Sequence, residues 1–144
     1  MNRFVPKAAI TAISSIILAG CASNTYKPKA SDTELSATAA KSPYPYSAQS
    51  EPAPHIFAVV SPSDATITLY NAGDESYVNF QLWVNKTYAL QIDKLDARST
   101  VAIAPNTLFN GMGTNMGGAS ASAITSIQVW NKDRLYDVQG PIIH

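Results

Sequence analysis

The chain has 144 residues, 46% of them hydrophobic, with ten Lys plus Arg against ten Asp plus Glu. That length allows one ordinary domain, and from His55 onward five basic residues face seven acidic ones, which offers no basic footprint for nucleic acid. A single cysteine, Cys21, excludes an intrachain disulfide and a thiolate metal cluster.

In chain order, Asn2, Arg3 and Lys7 form a short basic start and residues 8–19 an apolar stretch, the layout of an export signal. The stretch is shorter than the roughly 20 apolar residues that a spanning helix needs. It ends in Leu18, Ala19, Gly20 and Cys21, which resembles the lipobox of bacterial lipoproteins: a branched apolar residue, two small residues and an obligatory cysteine. The resemblance implies that the signal peptide, residues 1–20, is read through Leu18, Ala19 and Gly20 and cut before Cys21. The thiol of Cys21 would carry a diacylglyceryl group and the new amino terminus commonly a further acyl chain, such as palmitate. Each buried methylene contributes about 0.8 kcal/mol, so two or more chains hold stably to a membrane. In Gram-negative members an aspartate after the cysteine favours inner-membrane retention. Ala22 at that position therefore implies the outer membrane, with the protein facing the periplasm. The alternative is an ordinary secretory signal whose small-residue cleavage site is followed by a chance cysteine.

Residues 21–54 then read as a lipidated tether. Ser, Thr, Ala, Pro and Lys dominate, Leu35 is the one large aliphatic residue, and prolines stand at 28, 43, 45, 52 and 54. Such a composition is expected to stay disordered, with an end-to-end distance of roughly 30 Å that lets the domain work away from the lipid. Tyr44 and Tyr46, alternating with Pro43 and Pro45, read as a stiffened spacer or as a recognition motif.

Residues 55–144 form the domain, an all-β sandwich of about seven strands. Residues 56–60 and 66–70 are strand-like, separated by a polar turn. In residues 77–84, Val78, Phe80, Leu82 and Val84 share one face and Tyr77, Asn79, Gln81 and Trp83 the other. Residues 88–92 follow after a short turn. A three-residue loop, 85–87, sets Val84 opposite Tyr88, Leu82 opposite Leu90 and Phe80 opposite Ile92, so the apolar faces agree; a two-residue loop mismatches them. Asn85-Lys86-Thr87 also fits a glycosylation acceptor, a match too frequent by chance to use. Further strands are expected at 99–104, 123–130 and 134–138, with a Gly- and Met-containing loop at 111–122 and no amphipathic helix that would suggest a parallel β-α-β sheet.

In its strand ending at Asn71-Ala72-Gly73, its apolar strand through Trp83 and its turn before Ser99, the stretch 66–103 resembles immunoglobulin-like or fibronectin-III-like bacterial modules. It lacks both core cysteines of antibody domains, and Trp83 lies on the face opposite Phe80 and Leu82. Such folds host many unrelated functions.

No catalytic group, cofactor or metal is expected. His55 stands at the linker boundary and His144 at the end of the chain, and no G-x-S-x-G elbow is present. Asp93 and Asp96 could contribute to a calcium site, but two carboxylates on a turn are the commoner outcome. Two function classes follow. One is a membrane-anchored envelope lipoprotein whose non-catalytic domain is structural or binds an envelope protein through a sheet edge or the Gly- and Met-containing loop. The other is a glycan or small-ligand binding module stacking rings on Tyr70, Tyr77 and Trp83.

Overall fold

The computed structural model describes residues 25–143, with side chains through Val138; the signal peptide, Leu18, Ala19, Gly20, the lipidation position Cys21 and His144 lie outside the described residues. One helix, α1 (Asp32–Lys41), precedes seven strands: β1 (Ser50–Val60), β2 (Ile67–Asn71), β3 (Tyr77–Val84), β4 (Tyr88–Leu95), β5 (Ser99–Ile103), β6 (Ile127–Asn131) and β7 (Arg134–Ile143). They form one mixed sheet in the order β4-β3-β6-β7-β1-β2-β5, antiparallel except where β1 runs parallel to β7. The sheet curls until its two edges, β4 and β5, approach each other, giving a small, nearly closed all-β sandwich.

Period-two alternation builds the interior. Ile56, Ala58 and Val60 point inward from β1, Ile67 and Leu69 from β2, and Phe80, Leu82 and Val84 from β3. The β3–β4 hairpin has the register that its three-residue loop requires: Val84 opposite Tyr88, Leu82 opposite Leu90, Phe80 opposite Ile92. Asn85 and Lys86 make the turn with φ of 55° and 58°. Asn85 also ties the hairpin to the loop before β6. Its Nδ2 donates to the Ala123 carbonyl and its Oδ1 accepts from the amides of Thr125 and Ser126.

Alternation fails at Asn79. Its φ of 50° is left-handed, a conformation that Asn tolerates better than most residues. The strand reverses its faces there, so Val78, expected inside, is exposed, while Tyr77 turns inward and packs edge-on to Phe80 at 6.1 Å.

Residues 25–54, the described part of the segment expected as a disordered tether, depart most from the sequence reading. From Thr25 onward they pack on the domain. Ser31 caps α1 by accepting from the Glu34 amide while Glu34 accepts from the Ser31 amide, a reciprocal capping box. Leu35 and Ala39, one turn apart, join the core. The segment needs so few apolar residues because it lies on a surface already built: α1 packs over β4. Tyr26 stitches the two sheet edges together. Its amide donates to the Ala102 carbonyl of β5 (2.8 Å), while its hydroxyl donates to the Gln91 carbonyl (3.3 Å) and accepts from the Asp93 amide (3.4 Å) of β4. Next along β4, Ala89 exchanges backbone hydrogen bonds with Phe109. Edge groups that would otherwise template foreign strands are thereby satisfied.

Candidate functional site

The most elaborated surface is an aromatic groove on the outer face of β3. After α1, Pro43, Tyr44, Pro45 and Tyr46 form a strap whose prolines fix φ and limit its freedom. Tyr44 lays its ring edge-on to Trp83, centroids 5.3 Å apart at 87°. Its hydroxyl donates to Oε1 of Gln128 (2.7 Å), and Nε2 of Gln128 donates to Oδ1 of Asp137 (2.7 Å). Both ends of this buried amide are therefore satisfied. Burial, and then the negative charge of Asp137, raise the Tyr44 hydroxyl above the usual phenolic range, against the opposing pull of the Gln128 hydrogen bond. Tyr46 continues the series at 4.8 Å from Tyr44, but is 79% exposed.

The other lip is the turn around Asn110, whose side chain accepts from the amides of Met112 (3.0 Å) and Thr114 (2.9 Å) and presents Met112, 91% exposed. Gly113, at φ +86°, lets this turn approach α1: a Cβ there would lie 2.9 Å from Oγ of Ser36. The groove between these lips, with Lys86 and Thr87 at its end, has a volume of about 330 Å³. Tyr, Trp and Met around a partly apolar recess is a composition enriched at the cores of protein interfaces, and Lys86 stands at its margin.

The three aromatics expected to form a stacking platform are not brought together. Trp83 is 3% exposed, beneath Tyr44, with its indole N–H donating to Oε1 of Gln81 (3.3 Å). Tyr70 stands on β2 opposite Phe57, on the other half of the sheet. Tyr77 lies at the far end of β3 from Trp83, in a polar depression with His55, Asp74, Glu75, Lys132 and Tyr136. Alternation puts Tyr77 and Trp83 on one face, but the reversal at Asn79 and the covering strap separate them.

The carboxylates considered for calcium are not paired either: Asp96 meets Lys94 (3.2 Å), while the backbone of Asp93 meets Tyr26. Among the described residues, no group of three or more His, Cys, Asp or Glu is placed to hold a metal ion. Asn71, buried at the end of β2, holds neighbouring loops together by donating to the carbonyls of Glu75 and Asp96 and accepting from the Gly73 amide.

The chain matches no protein-family model, no curated protein and no solved structure. Tyr26 and Gln128 were not legible as seam or site residues, because nothing local distinguishes them, whereas Met112 lies in the Gly- and Met-containing loop expected as a contact element. Tyr44 and Tyr46 were visible as an alternating Pro-Tyr pair, but not what they cover.

Proposed function

We propose that the protein is a lipid-anchored lipoprotein of the bacterial envelope, on the outer membrane facing the periplasm, whose β-domain is a non-catalytic interaction module. The observation that carries this reading is the lipobox, Leu18-Ala19-Gly20-Cys21, behind a basic and apolar leader. The groove between Tyr46 and Met112 supports an interaction role, since an aromatic and a thioether side chain stand exposed at its two lips. The second reading, glycan stacking on Tyr70, Tyr77 and Trp83, loses support because Trp83 is buried and the three rings are apart, and Tyr46 is the exposed ring that the groove offers it instead.

The deciding experiment compares wild type with Cys21→Ala, expressed in a bacterial host, by intact mass and membrane fractionation. Wild type should show the mass of two or more acyl chains and pellet with membranes, whereas the variant should be released. An unacylated, soluble wild type would overturn the anchor and leave a freely secreted binding module. Photo-cross-linking from position 46 in cells then tests the groove: a defined protein adduct lost in Met112→Ser supports a protein partner, and protection of Tyr46 by soluble saccharide favours the second reading.

A further inference from the structure

Where β1 from Phe57 onward lies beside β2 and β5, the outward positions carry no charged side chain and include two aromatics and a valine, unlike the polar face of a solvated sheet. Phe57 pairs with Tyr70 and Tyr70 with Thr100, forming one row across the three strands; Val59, Thr68 and Ala102 form the next. None of these six side chains ionises at neutral pH, and Phe57, Val59 and Tyr70 are 38%, 38% and 41% exposed. A contiguous uncharged patch with exposed Phe, Val and Tyr marks a contact surface.

The described chain begins beside this patch. Thr25 bridges Ala102 in parallel fashion, at the end of the Val59–Thr68–Ala102 row. Cys21 precedes Thr25 by four residues, which span at most about 14 Å when fully extended. That reach is close to the width of three strands, about 10 Å between the outer two. Resting on the lipid-anchor reading, we infer that the outer face of β1, β2 and β5 docks on the bilayer surface, with Phe57, Val59 and Tyr70 in the interfacial layer. The 33 residues after Cys21 therefore do not act as a spacer.

Three features favour lipid over another occupant. The anchor leaves little room for a protein between this face and the membrane. Phenylalanine and tyrosine suit the boundary between headgroups and acyl chains, where an apolar body and a polar tip are both accommodated. So short a tether also makes docking intramolecular, at an effective concentration on the order of millimolar, so a small patch suffices. The Tyr46–Met112 groove, on the other half of the sheet, then faces away from the lipid.

The test uses the acylated protein, purified from bacterial membranes and reconstituted into vesicles of phosphatidylethanolamine and phosphatidylglycerol. A fluorophore is placed through Val59→Cys or, separately, Met112→Cys, the native thiol being blocked by its lipid. Nitroxide lipids labelled at the headgroup should quench the Val59 site severalfold more than the Met112 site. Phe57→Ser combined with Tyr70→Ser should abolish that difference while the circular dichroism at the assay temperature stays that of the folded protein. Equal quenching at both sites in protein that floats with the vesicles would overturn the docked face while leaving the anchor intact. Failure to float, with no acyl mass, would overturn the anchor and the docking with it. Self-cross-linking through position 59 of unacylated protein in solution would assign the face to a second copy instead and overturn the lipid assignment.

Discussion

Tyr44 supplies the hydroxyl that one end of the buried Gln128 amide requires, and its ring shields Trp83 from water. Tyr44→Phe keeps the ring and removes the hydrogen bond, leaving the amide oxygen with its partner missing. The expected loss is about 1–3 kcal/mol, measurable by urea denaturation. Tyr44→Ala also uncovers the indole, so Trp emission should shift to the red in the native state, a readout that the Phe variant leaves in place. Titration gives a second check. The hydroxyls of Tyr26, Tyr44 and Tyr77 are all raised from 10.0, in each case first by burial. A group whose native pKa is raised contributes stability in full below its unfolded value and loses it as pH rises through the native one. The thermal midpoint should therefore fall as pH climbs above 10.0, the reference value of these groups, and less steeply in Tyr44→Phe. An unchanged slope in that variant would remove Tyr44 from the account.

At the scale of elements, α1 depends on its cap. Ser31→Ala removes the acceptor for the Glu34 amide and should cost about 0.5–2 kcal/mol, seen as faster hydrogen exchange confined to α1. The hydrogen bonds that Ser31 donates, first from its amide and then from its hydroxyl, hold the Glu34 carboxyl below 4.5. Its contribution is thus present above that value and is lost as pH falls through the native pKa. Protection factors in α1, taken against the intrinsic exchange rate at each pH, should fall in acid before those in the strands do. The same helix marks where the sequence was hard to read. Ser31-Asp32-Thr33-Glu34 carries a capping-box signature, but it precedes no apolar run, and one leucine and one alanine on a turn cannot signal a helix without the β4 surface beneath them. The strands were legible because inward Ile, Leu, Phe and Val recur every second residue, and the hairpin register because only the three-residue loop aligns Leu82 with Leu90. The reversal at Asn79 was not, since a single left-handed residue leaves no trace in composition while exchanging every side chain before it. Likewise β1 begins at Ser50, earlier than its apolar residues suggest, because its first half is held by backbone pairing to β7, Ser50 opposite Leu135.

For the whole molecule, the question is how a seven-stranded sheet closes when its edge strands do not pair with each other. The amino-terminal segment answers it: Tyr26 bonds both edges, α1 covers β4, and the strap seals the outer face of β3. The segment is thus a structural layer of the domain, which also fixes where a lipid on Cys21 would hold it. Removing residues 25–49 should cost on the order of 3–5 kcal/mol, from the burial of Leu35 and the lost hydrogen bonds of Tyr26 and Tyr44. It should also bare the Gln91 and Asp93 backbone groups of β4 as a free edge, and a free edge recruits other strands. The truncated domain is therefore expected to lose amide protection first at Asp93 and then to associate in a concentration-dependent way. Protection at Asp93 equal to that of the intact chain, in a monomer at every concentration, would mean that β4 and β5 close without Tyr26 and that residues 25–49 are a spacer after all.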